Sequence, residues 1–289
     1  MDVMSRIEKS LLTAVDLAGQ PGCPPRLAAA MHAAVFPKGA RVRPRLCHAV
    51  ASACGDDEPA ATDAAGAAIE LLHCASLVHD DLPCFDDAAL RRGRPSVHAA
   101  FGEPLAVLAG DALIVLAFQS LALADCSPRR LARLVGTVGA AVGVPSGIVA
   151  GQAWECEPTI DLAHYHRSKT GALFAAATIS GAAAAGRDDA EAWRSLGEKI
   201  GEAYQVADDI RDAASDEEEA GKPVGQDVAH GRPSAVIRYG ISGAIAHLHE
   251  LVAEGIRAMP PCANAHELRL LMEQEAKRLV PRRLAQFAA

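Results

Sequence analysis

The sequence predicts one α-helical bundle, and three observations carry that reading. Half of the 289 residues are hydrophobic, enough to bury a sizeable core. Alanine, the strongest helix former, recurs along the whole chain while runs of β-branched residues are scarce. The breaks between apolar stretches are short, at residues 19–25, 55–59, 93–95, 145–147 and 260–264, and are built on glycine, proline and asparagine. No linker divides the chain, so residues 1–289 read as a single domain.

Taken in order, the elements carry more than fold class. Residues 1–20 hold Asp2, Arg6, Glu8, Lys9 and Asp16 and lack a cleavable apolar core, so no secretory signal is expected. Lys38, Arg41, Arg43 and Arg45 crowd a segment that ends one helix and opens the next. The following apolar helix runs into His79-Asp80-Asp81-Leu82-Pro83-Cys84-Phe85-Asp86-Asp87, with Arg91-Arg92-Gly93 close behind. Pro83 allows two readings: a helix bent through a bulge that swings Asp86 back toward Asp80, or a helix that stops there in an acidic turn.

The most apolar run, residues 104–124, contains Asp111 and Gln119; a buried core helix suits it better than a membrane span, since a mid-span charge is costly in lipid. Lys169-Thr170 opens another apolar helix. Residues 200–210 are too apolar for a surface helix and lead into Asp208-Asp209-Ile210-Arg211-Asp212. An acidic solvated loop follows at 213–221, and then Lys222 and Arg232 flank Gly225-Gln226-Asp227.

Charge and cysteine content exclude several function classes. A net charge of −8 argues against a nucleic-acid partner. Eight scattered cysteines with no C-x-x-C pair read as small residues in a reducing compartment, not as a disulfide framework or a zinc site. A soluble, cytoplasmic protein is expected.

The two aspartate clusters point to metal chemistry. Asp208 and Asp212, four apart, are separated by roughly 40° and about 6 Å on a helix and share a face, whereas Asp209 lies about 100° round. They face either an internal cavity or, at a helix end, solvent. Carboxylate sets opposed across a cavity gather hard divalent cations around a phosphorylated substrate, and magnesium shares its shell with phosphates in this way. The arginines and lysines beside the clusters suit phosphate oxygens.

With these residues in view, the chain resembles the trans-type isoprenyl diphosphate synthases, the polyprenyl synthetase family. Asp-Asp-x4-Asp at Asp80 to Asp86 with Arg91-Arg92-Gly93 is similar to the family's first aspartate-rich motif, and Asp208-Asp209-x2-Asp212 to its second. Gly151-Gln152, Lys169-Thr170 and Gly221-Lys222 match in place. The resemblance implies an isoprenoid synthase fold around a deep central cavity, usually as a homodimer. It implies condensation of isopentenyl diphosphate with an allylic diphosphate, assisted by three magnesium ions (Mg2+). Asp80 and Asp86 would hold two ions and Asp208 the third, with Asp81, Asp209 and Asp212 supporting. By the same pattern Arg91, Lys169, Lys222 and Arg232 would bind the allylic diphosphate. Thr170 and Gln205 would flank the carbocation, and Arg43, His73 and Arg92 would bind isopentenyl diphosphate.

Two positions depart from the family pattern. The usual lysine before the Arg-x-Arg-Pro stretch is Ala40, a loss that Lys38 or Arg41 could offset, and Gln226 stands where many relatives carry lysine, a loss that Arg232 could cover. Product length in the family is set below the first motif. Ala75 and Ser76 lie one turn, roughly 6 to 7.5 Å, below Asp80 and are small, which leaves a tunnel open. Together with the Leu82-Pro83 insertion this resembles bacterial geranylgeranyl diphosphate synthases and predicts a twenty-carbon product from dimethylallyl, geranyl or farnesyl diphosphate. Ile114, Val115 and Phe118 are candidates for a deeper floor. The alternatives are a farnesyl or longer-chain synthase, a terpene cyclase, and a non-catalytic regulatory subunit of a prenyl synthase.

Overall fold

The computed structural model describes residues 2–36, 39–159, 165, 167–214 and 234–280; Lys38, Lys222, Gln226 and Arg232 lie outside them. The described chain is helical nearly throughout. Helices α1 (Val3–Val15), α2 (Pro25–Val35), α3 (Val42–Cys54) and α4 (Pro59–Asp80) come first. Then follow α5 (Val97–Phe101), α6 (Glu103–Ala122), α7 (Pro128–Val142) and α8 (Ile148–Ala153). The chain closes with α9 (Ala172–Ala184), α10 (Arg194–Ala214), α11 (Ala235–Arg257) and α12 (Ala265–Leu279). An antiparallel ladder of two residues a side, β1 (Leu90–Arg91) with β2 (Arg94–Pro95), turns at Arg92-Gly93, where the sequence alone shows only a helix break.

Helix starts follow local chemistry. Proline stands in the first turn of α2, α4, α6 and α7, where its missing N–H is no loss. Asp2 caps α1 by accepting the Ser5 N–H at 3.0 Å.

Helix α9 is the centre of the bundle. Every residue from Leu173 to Ala184 is buried, as an apolar sequence on all faces requires. It packs against α3, α4, α7 and α10, and α4 packs in turn against α3 and α6. One continuous hydrophobic cluster runs from Ile7 to Val280. Between these helices lies a cavity of about 590 Å³.

Two expectations need correction here. Helix α6 has the length and composition of a membrane span, yet it is a bundle helix with one face buried, through Ala106, Ala109, Leu113, Leu116, Ala117 and Leu121. The opposite face is not core: Leu108 is 52% exposed, Val115 55% and Asp111 lies among them. Val115 therefore cannot floor a cavity, and Phe118 is only half-buried against the core; of the three candidates Ile114 alone lines the cavity. Arg41 is also not a spare phosphate ligand. It is 1% exposed and donates to Glu8 at 3.0 Å, Glu70 at 2.9 Å and the Val35 carbonyl at 2.9 Å. A buried guanidinium needs such partners, and these consume its donors in holding α1, α2 and α4 together.

Candidate active site

Helix α4 delivers the first aspartates. The helix stops at Asp80, as one of the two readings of Pro83 requires, but the chain then folds back on itself. The Asp86 N–H donates to the Asp80 carbonyl at 3.0 Å, and Phe85 and Asp87 N–H groups both donate to Leu82. The backbone thus pairs Asp86 with Asp80 without a helical bulge. Burial raises the Asp80 carboxyl above its ordinary value; Lys169 pulls the other way and Asp86 adds to the rise. Asp81 points elsewhere. It is 2% exposed and takes the Arg91 guanidinium, whose Nε lies 2.9 Å from Oδ1. In this structure Asp81 is an anchor for Arg91, not part of the cavity wall.

Helix α10 delivers the second set. Asp208 lines the cavity with its side chain 50% exposed and paired to Arg211. Asp209, a quarter-turn round, is buried; its Oδ2 accepts the Ala235 N–H at 2.7 Å and its Oδ1 accepts from Gln205 at 3.2 Å. It ties α10 to the first turn of α11. Asp212, one turn beyond Asp208, is partly exposed. The helical spacing thus separates the acids in the expected way, with Asp209 as a brace.

Lys169 and Thr170 sit in a π turn, Arg167–Gly171, that runs into α9. Such turns are rare in helices and recur at functional sites. Lys169 Nζ donates to Glu155 Oε1 at 2.6 Å and lies 3.4 Å from Asp80 Oδ1. Against the penalty of burial, Asp80 and Glu155 raise the ammonium above its ordinary range, so it is charged throughout the neutral range. Thr170 Oγ1 donates to Gln205 Oε1 at 3.3 Å. Gly151 explains part of the Gly-Gln pair: a Cβ there would meet the Lys169 backbone nitrogen at 2.5 Å, so α8 abuts the π turn only because residue 151 has no side chain.

Glu155 is the site residue that sequence reading missed. It also accepts from Gln152 at 2.6 Å and from the Tyr165 hydroxyl at 2.5 Å, whose phenol is pushed up to about 12 by burial. Its position one helical turn after Gln152 was the available signal.

A third group gathers beside α3. The Arg43 guanidinium lies over the Phe174 ring at 4.5 Å, lines the cavity, and has a buried Nε with no hydrogen-bond partner. His73 lines the same cavity; burial, with Arg43 and Arg92 nearby, holds its imidazole well below the ordinary range and hence neutral. Arg92 is exposed, with its guanidinium against Gly39. Arg43 and His73 thus share the cavity wall, whereas Arg92 lines a neighbouring cleft and acts on His73 only through its charge, and Ala40 is left with no substitute in Arg41. Below this polar end, Leu72, Ala75, Ser76, Ile114, Val142 and Ile148 form an apolar chamber.

An apolar chamber closed at one end by carboxylates and cations, inside a helical bundle, defines an enzyme that holds a hydrocarbon tail by its charged head. Residues 24–264 match the polyprenyl synthetase family, and the chain belongs to it. The chain is 52% identical over 281 residues to a geranylgeranyl diphosphate synthase of Cereibacter sphaeroides and 50% identical to that of Rhodobacter capsulatus, with 97% of each chain covered in both cases. Among solved structures it is similar to a geranyltransferase from Helicobacter pylori complexed with magnesium and isoprenyl diphosphate (TM-score 0.78, 30% identity, 96% of this chain and 98% of that one). It is also similar to a geranylgeranyl pyrophosphate synthetase from Pyrococcus horikoshii (TM-score 0.79, 27% identity, 96% of each). The protein is a trans-prenyltransferase of the magnesium-dependent kind with the isoprenoid synthase fold.

Proposed function

We propose that the protein condenses isopentenyl diphosphate with dimethylallyl, geranyl or farnesyl diphosphate to give geranylgeranyl diphosphate. The observation that carries this reading is the cavity: about 590 Å³, apolar below and charged at the mouth, with Ala75 and Ser76 in its wall where a bulky side chain would shorten it. The close identity to two bacterial geranylgeranyl diphosphate synthases supports the same product.

The carboxylates fit magnesium. Asp80 on one wall and Asp208 on another offer hard oxygen donors, with Asp86 tied to Asp80 through the backbone and Asp212 one turn beyond Asp208. Among the described residues no three acidic, histidine or cysteine side chains converge tightly enough to hold an ion alone, which suits a metal that takes its remaining oxygens from substrate phosphate. Three ions per site is the proposed number, two at Asp80 and Asp86 and one at Asp208; once bound they supply Lewis-acid neutralisation of the departing pyrophosphate.

The chain's own groups do the rest. Lys169 and Arg91 bind the allylic diphosphate, each already aimed by a carboxylate, Glu155 and Asp81 respectively; Lys222 and Arg232 are proposed to join them. Arg43, His73 and Arg92 hold isopentenyl diphosphate, the unpartnered Arg43 Nε being a donor in want of an oxygen. When the allylic C–O bond breaks, the pyrophosphate takes the electron pair. Thr170 donates its hydroxyl hydrogen bond to Gln205 Oε1, so its oxygen lone pairs are left for the carbocation, a neutral dipole that stabilises without trapping. The isopentenyl double bond attacks, and the released pyrophosphate takes the proton that is lost. Asp81 and Asp209 serve as braces for Arg91 and α11.

The whole chain is proposed to act as one domain, in line with its continuous core. It is proposed to form a homodimer through α6, whose exposed Val107, Leu108 and Val115 make an apolar face of the kind that marks interaction sites. Its eight free cysteines suit a cytoplasmic location. The decisive experiment incubates the protein with magnesium, isopentenyl diphosphate and each primer, and chromatographs the dephosphorylated alcohols. A twenty-carbon alcohol from all three primers is expected, and a dominant fifteen- or twenty-five-carbon alcohol would reject the product assignment. Sedimentation at equilibrium should return twice the chain mass, and a monomer would reject the dimer.

A further inference from the structure

One wall of the cavity is a stripe on α4, Leu72, Ala75, Ser76 and His79, spaced so that all four share a helical face. Three of these are accounted for by the space they leave or fill. His79 is different: it is the bulkiest polar group in the stripe and stands at its top rung, next to Asp80. Its ring borders the cavity and is turned toward α6. Nε2 lies 3.4 Å from the Val107 carbonyl and 3.8 Å from Asp111 Oδ1. The ring occupies the space where residue 110 would carry a side chain, so that a Cβ built on Gly110 would meet Nε2 at 2.1 Å, Cδ2 at 2.6 Å and Cε1 at 2.7 Å. Gly110 is followed by Asp111 and preceded one turn earlier by Val107, so α6 presents a slot with a bare floor and an acceptor on each side.

We propose that Gly110 is a specificity-determining position: its missing side chain forms the slot on α6 that holds the His79 imidazole at the edge of the prenyl cavity, and this sets the bore available to the allylic tail just below Asp80. The inference rests on the assignment of this cavity to the prenyl tail. Nothing at Gly110 touches substrate; it acts through His79. Any side chain there displaces the imidazole, which turns into the open space it already borders and narrows the channel. A short five-carbon primer still fits above the obstruction, whereas a fifteen-carbon tail must pass it. Ala75 and Ser76 then act one turn deeper on the same wall.

The test compares primers. Wild-type protein, Gly110→Ala, His79→Ala and the double variant are assayed for kcat/KM with dimethylallyl and with farnesyl diphosphate, and their alcohols are chromatographed. Gly110→Ala is expected to lower the ratio of farnesyl to dimethylallyl kcat/KM by roughly tenfold or more, the scale of a crowded methylene in an apolar pocket, and to shift product toward fifteen carbons. Removing the ring should cancel this, so the double variant returns to the wild-type ratio or above it, a coupling that general damage to α6 would not produce. An unchanged ratio in Gly110→Ala, or a double variant as impaired as the single one, overturns the proposal. If Gly110→Ala does not fold, His79→Trp decides, since the slot measured by the imidazole does not hold an indole: a lowered farnesyl-to-dimethylallyl ratio with shorter alcohols, beside a His79→Ala ratio near that of the wild type, supports the slot, and an unaltered ratio and product in His79→Trp overturn it. A wild-type product other than twenty carbons would reject the product assignment while leaving the primer ratios to judge Gly110.

Discussion

The mouth and the chamber of the cavity are built on opposite principles. At the mouth almost every functional side chain is fixed by a directional partner: Lys169 by Glu155, Arg91 by Asp81, Thr170 by Gln205, and Gln205 by Asp209, which in turn holds the Ala235 amide. The chamber is lined by Leu72, Ala75, Ile114, Val142 and Ile148, which meet only by packing. Charge must be placed to within fractions of an ångström to act on a breaking bond, whereas a tail needs only volume. Changes at the mouth should therefore cost rate at constant product, and changes in the chamber should alter product at nearly constant rate.

Asp208→Asn is the hardest test of the mouth. It should lower kcat by about 10²- to 10³-fold, the scale of a lost electrostatic stabiliser, while the residual product keeps its length. A change in chain length would break the division. Glu155→Gln comes next. With the charge-assisted bond to Lys169 weakened, kcat/KM for the allylic diphosphate should fall roughly ten- to a hundredfold, with partial recovery in Glu155→Asp; steady-state kinetics equal to wild type would remove Glu155 from the site. Ala75→Phe tests the chamber. Overall turnover should stay within about tenfold while the main alcohol shortens to fifteen carbons, since the added ring fills wall space one turn below Asp80; an unaltered alcohol profile would leave Ala75 without a role.

The smallest effect on catalysis belongs to neither region. Burial, with Arg6 near, lowers His48 from 6.5 to about 4. The unfolded chain takes up this proton near 6.5 and the folded one only near 4. Stability is thus complete above the first value and declines as pH falls toward the second, by up to about 1.4 kcal/mol per pH unit. Urea midpoints should follow that slope in the wild type and lose it in His48→Gln, with kcat and product at neutral pH unmoved. Equal slopes in both proteins would place the acid sensitivity elsewhere.

How much of this could be read in the residues depends on how local each feature is. The pairing of Asp208 with Asp212, and the separation of Asp209 from both, is helix geometry and needs no tertiary information. So is the stripe through Ala75 and Ser76. The helix breaks are proline and glycine chemistry and were legible for the same reason. What Asp81 and Asp209 face was not legible, because a position on a helix does not say which group arrives from another element. Glu155 was missed on that account: Lys169 and Tyr165, its partners, come from the segment after α8. Arg41 sits in a basic cluster that looks like a phosphate site, yet it answers to Glu8 and Glu70 from α1 and α4. The two faces of α6 could not be told apart because apolar residues run all round it, so its pattern carries no direction; Ile114 and Val115 are neighbours of like character that end on opposite sides.

The way the first motif folds back has a consequence for how it can drift. The closeness of Asp86 to Asp80 is written in main-chain hydrogen bonds, and any residue that carries an amide can write it. Pro83 and Cys84 stand outside those bonds, both exposed, and neither lines the cavity. The first aspartate motif thus contains neutral ground, two positions where substitutions can accumulate unseen, and Cys84 offers a natural thiol on which to hang a reporter a few residues from the proposed metal-binding pair.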